Sequence, residues 1–373
     1  MEPSLSKRGS ASRHHAYNAI SVSLIVAFAA FSYAVTQAAG ATVAREAEAG
    51  GPPSVGARVV ADAAASGSAA LSFGDPAVQP PPTAQGAWSS GATSEALADF
   101  ATWRGRLLDN SGTWPNRETW AIISNPDIYG AVSALAGYEQ IWIGAAMLPE
   151  QETASFAQCA TGAYDQYFKT YGTNLTRINR GNAIIRLGWE ANGDWYAWSI
   201  RDDVENYKAC FRRQVAAIRS TAPGVRIDWN MNKESKMARS VAEAYPGDDV
   251  VDIIGVDFYD NWPAYPDKAA WDADFMSQQN GGPRGLGAWL AFAKAHGKKF
   301  SVPEWGLNNG TGGGTDNPYF MQAMYGFFAE HASDLAYETY FNLMAPGFII
   351  YPAGVNPAGA AEYARLWKQS PRL

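Results

Sequence analysis

From residue 84 onward the chain alternates two kinds of apolar pattern. Short, mostly continuous runs read as strands: GAWSS (86–90), TWAIIS (119–124), QIWIGAAML (140–148), AIIRLGWE (183–190), VRIDWNMN (225–232), VDIIGVDFY (251–259), KKFSVPEWG (298–306) and YETYFNL (337–343). Continuous rather than alternating hydrophobicity is the mark of parallel strands covered on both faces. Between them lie segments with apolar residues every three or four positions, at 94–108, 152–172, 202–220, 285–296, 317–332 and 357–369. In the third of these, Val204, Tyr207, Phe211, Val215 and Ile218 share one helical face, with Asp202 and Asp203 before it and Arg219 in its last turn.

Eight strands with intervening helices predict an α/β chain folded as a single (β/α)8 TIM barrel over residues 84–373. The competing architecture, a doubly wound open sheet, would carry a Gly-rich phosphate turn early in the fold. None is present.

The pattern is different before residue 84. Lys7, Arg8 and Arg13 precede an apolar run within residues 18–38, which ends in small residues with cleavage expected near Ala38 or Ala39. Residues 1–39 therefore read as a signal peptide, or as a signal anchor that tethers the protein to the membrane through 18–38. Residues 40–83, rich in Ala, Gly, Pro and Ser without a sustained period, read as a disordered linker. The expected location is outside the cytoplasm: secreted, periplasmic or tethered to the outer side of the cytoplasmic membrane.

Charge and composition narrow the function. The formal net charge is −7, and residues 1–87 balance five acids against five bases, so the negative excess belongs to the barrel. An acidic domain without a basic stripe argues against nucleic acid as a partner. All 14 Trp lie at or after Trp88, and indole faces suit the flat C–H patches of sugar rings as well as they suit a core. Of four His, two precede the apolar leader, which leaves little for a His-based triad or metal site, and no metal or cofactor is expected. The Gly-rich stretch 308–317 lacks the Lys-Ser/Thr of a phosphate loop and reads as a rim loop. Cys159 and Cys210 are either a disulfide or two buried thiols. The chain is read as a monomer.

Barrel enzymes carry their chemistry where strands end. Glu190 ends the fourth predicted run, Glu304 lies near the end of the seventh and Tyr259 closes the sixth. Two strand-end carboxylates on one rim, each flanked by Trp, supply what glycoside hydrolysis needs: one group to protonate the leaving oxygen, another to attack or to activate water.

RLGWEANGDWYAW and VPEWG resemble the two catalytic motifs of glycoside hydrolase family 26, a family of retaining β-glycosidases on (β/α)8 barrels, and VDIIGVDFYDNW resembles the segment between them. The resemblance implies Glu190 as general acid/base and Glu304 as nucleophile, oriented by Tyr259 and held ionised by Arg186. It implies substrate contacts from Trp189, Asn192 and Trp195. Two departures fall on the sugar subsites. Trp189 stands where the family commonly has His, and no Trp ends the eighth strand, so Trp262, Trp305 and Phe341 become the candidate replacement platforms. The implied activity is an endo-β-glycosidase acting on a mannan-like polysaccharide. The alternatives are a glycosidase acting on the cell's own exopolysaccharide and a non-catalytic polysaccharide-binding barrel.

Overall fold

The computed structural model describes residues 57–61, 69–73 and 87–368. The expected leader and tether lie outside these residues. Of the expected linker, the structure describes only Ala57–Ala61 paired antiparallel with Ala69–Phe73. Contacts divide the chain into two units, at Pro80 and Pro81.

The second unit is a closed barrel of eight parallel strands: β1 (Ser90–Thr93), β2 (Asn110–Thr113), β3 (Gln140–Ala145), β4 (Ile184–Leu187), β5 (Arg226–Asn232), β6 (Ile253–Tyr259), β7 (Lys299–Gly306) and β8 (Leu335–Phe341). They follow one another around the wall in sequence order, and β8 closes onto β1. The crossovers carry α1 (Leu97–Arg104), α2 (Trp120–Ile123), α3 (Phe156–Ala160), α4 (Asp165–Arg177), α5 (Val204–Arg219), α6 (Lys268–Phe275), α7 (Leu286–Ala295), α8 (Pro318–Glu330) and α9 (Pro357–Lys368). Between β5 and β6 only a 3-10 turn, Val241–Ala244, covers the barrel.

The strand pattern needs one correction. Residues 119–124 are not the second strand: Thr119 accepts the Ile122 N–H and caps the short helix α2, whose Trp120 stacks on Tyr167 outside the barrel. The true β2, NSGT, has no apolar side chain to betray it. Its polar groups are buried and bonded instead: Asn110 to Ser89 and the Glu338 carbonyl, Ser111 to the Ala92 carbonyl. Gly112 is required there, because a Cβ would stand 2.0 Å from the Trp142 ring. Likewise β1 starts at Ser90, where the predicted run ends, and the helix expected over 152–172 is broken into α3 and α4.

Two apolar zones result. The large one fills the space between strands and helices; all five residues of the predicted α5 face are buried in it. The small one, Trp142, Ile184, Ile253 and Tyr337, plugs the barrel itself. Above it the interior turns polar, with Arg186, Asp228, Asn230 and Asp257 all fully buried. Burying that many polar groups is tolerable only where each finds partners. Asp228, for example, accepts from Ser301 at 2.7 Å and Tyr337 at 2.6 Å. The two cysteines form a Cys159–Cys210 disulfide, which links α3 to α5.

Candidate active site

Both glutamates reach the mouth of the barrel through local breaks in regular structure. Strand β4 stops at Leu187, and the chain then turns through Gly188 (φ +60°) and Glu190 (φ +52°). A left-handed conformation at a non-glycine residue costs of order 1–3 kcal/mol. The turn is held by Glu190 N–H to the Asn230 carbonyl (3.0 Å) and Gly193 N–H to the Glu190 carbonyl (2.9 Å). On β7 the registers with both β6 and β8 shift across the segment holding Pro303 and Glu304. Proline has no N–H to donate to the ladder, so a bulge forms there and aims the next side chain afresh.

Around Glu304 two donors and a cation converge. Oε1 receives the Trp114 indole N–H at 3.2 Å and pairs with Arg186 Nη1 at 2.8 Å; Oε2 receives the Tyr259 hydroxyl at 3.0 Å. Burial and the Glu304 charge push Tyr259 well above the usual phenol range, so it serves as a donor. Arg186 is fully buried over the Trp142 ring, with Nη2 at 2.6 Å from both Asp257 and Asn230. Although burial opposes the charge, Asp257 and Glu304 hold this guanidinium above its ordinary range.

Glu190 has a different surrounding. Its Oε1 accepts from the Asn232 amide at 2.5 Å and its Oε2 from the Trp195 indole at 3.1 Å. Burial, and then the Glu304 charge, raise it to about 7 against the pull of these donors and of Arg186. One carboxyl is thus kept protonated toward neutral pH beside another that faces a fixed cation and two neutral donors. Such a pair can deliver a proton and a nucleophile to the same bond. Among the described residues no group of three or more His, Cys, Asp or Glu is placed to hold a metal ion.

Of the residues singled out in the sequence, Glu190, Glu304, Tyr259, Arg186 and Trp195 meet here. Trp262 joins them across a cavity of about 300 Å³ that is also lined by Asn232, Lys233 and Tyr259. Trp195 and Trp262 are 44% and 57% exposed and able to meet a sugar face. A larger cavity, of about 1300 Å³, opens at the other end of the barrel, around Arg106, Asn182 and Arg226, away from both carboxylates.

Three expected substrate contacts are corrected. Trp305 is fully buried: side chains alternate along a strand, so the residue after Glu304 faces the helices, where it stacks on Trp367 and bonds Glu338 at 2.6 Å. Trp189, 2% exposed, lies against Trp198 and gives its N–H to the Tyr196 hydroxyl. Asn192 is buried and clamps a main chain, donating to the Asn232 carbonyl at 2.7 Å and accepting from the Asn232 N–H at 2.9 Å. Phe341 is nearly buried, with its ring edge-on to Trp114 and Tyr259.

Sequence reasoning missed Trp114, Asn232 and Asp257. Asn232 was visible as the last residue of the fifth run, and Asp257 as a charge inside the sixth. Trp114 follows the strand that had been misplaced, and nothing local marks it.

Comparison with known proteins completes the picture. The family model described as Glycosyl hydrolase family 26 matches residues 174–281, which include Glu190 and Tyr259. Endoglucanase H of Acetivibrio thermocellus is 30% identical over 207 residues, 52% of this chain and 21% of that protein. This chain thus matches about a fifth of the length of that curated relative. Among solved structures, the catalytic domain of a family 26 endo-β-1,4-mannanase from Bacillus sp. JAMB-750 superposes with a TM-score of 0.52 at 14% identity, covering 78% of this chain and 91% of that one. A modular endo-β-1,4-mannanase from Cellulomonas fimi gives 0.55 at 15% identity, covering 78% and 72%. At these identities the superpositions speak for the barrel fold.

Proposed function

We propose that this chain, whose residues 174–281 match the family 26 model, is an exported, retaining endo-β-glycosidase of that family that cleaves a mannan-like or related β-linked polysaccharide. The observation that carries the reading is the contrast between the two mouth carboxyls: Glu190 raised to about 7, Glu304 gripped by Arg186, Tyr259 and Trp114. The relatives, endo-β-1,4-mannanases and an endoglucanase, support mannan and glucan backbones as the class to test.

In the first step Glu304 Oε attacks the anomeric carbon as the bond to the leaving oxygen breaks, and Glu190 gives that oxygen its proton. A glycosyl ester on Glu304 results. Esterification removes the Glu304 charge, one of the two causes that raise Glu190. The Glu190 carboxylate is thereby stabilised just when it must take a proton from water. Water attacks the ester's anomeric carbon, Glu190 accepts its proton, and Glu304 leaves as carboxylate. Tyr259 and Arg186 hold the nucleophile throughout, and the indole of Trp195 offers a sugar platform beside the acid.

The test is reducing-end release from soluble β-mannans, glucans and xylans. Wild-type protein should cleave at least one, Glu304→Ala none, and Glu190→Ala should be rescued by azide on an aryl glycoside with a good leaving group. Cleavage undiminished by Glu304→Ala would sink the assignment.

A further inference from the structure

The cavity beside the two carboxyls has a charged wall that neutral-sugar chemistry does not require. After β5 the chain passes from Asn232, which touches Glu190, through Lys233 and Glu234 to Lys236, and all four line the cavity. Lys233 is buried, with its ammonium 2.8 Å from the Tyr265 hydroxyl and over the Phe258 and Tyr265 rings. The Glu234 carboxylate is taken by Arg284 at 2.6 Å. Lys236 is exposed, its main-chain N–H is fixed to the Asn192 carbonyl at 2.8 Å, and among the described residues its side chain forms no ion pair.

Opposite stands Trp262, and it is built to stay exposed. Its indole lies on Gly312, where any Cβ would come within 2.2 Å of Nε1, and its carbonyl is held by Arg284 at 2.5 Å. The Gly-rich loop 308–317 is therefore the bed of an aromatic platform. Gly314 passes equally close to Asp260, and Asn261 bridges to Gly313. A fixed apolar plate with an unpaired ammonium on the same cavity matches one ligand chemistry: a pyranose ring that stacks by its C–H face and carries an anion at its edge.

We propose that the Trp262–Lys236 cavity is a subsite for a uronic acid residue of the substrate, so that the polymer cleaved is an acidic one. This rests on the glycosidase reading above and narrows it. The barrel holds the chain's net negative charge, so an acidic polymer is repelled elsewhere and Lys236 decides where its carboxylate settles.

The test separates binding from turnover. The full chain carrying Glu304→Gln is run through native gels containing a glucuronomannan, or the same polymer after its carboxyls are reduced to alcohols. The native polymer should retard it about fivefold more strongly, the scale of one solvent-exposed charge pair. Adding Lys236→Gln should erase that difference, Lys236→Arg should keep it, and Trp262→Ala should weaken retardation by both polymers. Equal retardation by the two polymers, no retardation by either, or a difference that survives Lys236→Gln overturns the subsite. The glycosidase reading fails separately, if wild-type protein binds the acidic polymer but releases no reducing ends from any polymer.

Discussion

Asn232 donates its side-chain amide to Oε1 of Glu190 at 2.5 Å, a contact between the end of β5 and the turn after β4. Oε2 accepts in the same way from the Trp195 indole at 3.1 Å, so each carboxyl oxygen is held by one neutral donor. The Asn232 contact favours the ionised carboxyl, against burial and the Glu304 charge.

The sign of the pH dependence follows. The acid must be protonated in the first step, so kcat/KM falls as pH rises through about 7. Asn232→Ala removes a contact that lowers Glu190, and the alkaline limb should move to higher pH. A limb that stays in place or moves down refutes the assignment of that limb to Glu190.

Asn192→Ala acts one step further back. It strips the partly buried Asn232 main chain of both a donor and an acceptor. Each orphaned buried group costs about 1–3 kcal/mol, read as a fall in Tm. The same variant should move the alkaline limb in the direction of Asn232→Ala, which a purely structural asparagine would not do.

Tyr259→Phe deletes one hydrogen bond to a charged carboxylate, worth about 1.5–3 kcal/mol. Stopped assays should show kcat reduced roughly 10- to 100-fold with Tm little changed.

Arg186→Met should be severe for folding as well as activity. It leaves Asp257 and Glu304 facing each other without their shared cation in a buried site, and breaking a buried pair costs about 3–5 kcal/mol. Urea denaturation measures the loss.

The disulfide closes a sequence separation of 51 residues between α3 and α5. The chain-entropy relation gives about 4 kcal/mol for a loop of that size, so Cys159→Ser with Cys210→Ser should lower the urea midpoint clearly while leaving kcat near wild type.

The barrel was legible because burial on both faces writes itself as continuous apolar runs, and six of the eight strands lie on such runs, whereas β1, SGAT, shares only Ser90 with the run predicted for it. Strand β2 lies on none: Asn110, Ser111 and Gly112 are satisfied by partners distant in sequence, and only closure of the barrel brings those partners near. For the same reason a four-residue apolar run, Trp120–Ile123, took a helix once Thr119 was free to cap it.

Sequence by itself determined the class of fold and the two strand-end glutamates, because strand ends and motif spacing are local properties of the chain. It could not say which neighbouring tryptophans face substrate. Trp305 and Trp262 look alike in a string, yet one alternates into the helical layer and the other is propped on Gly312 above the cavity. Nor could it show that Asn192 serves Asn232 rather than a sugar. Those roles depend on side-chain direction and on packing between segments far apart in sequence, which only the closed barrel fixes.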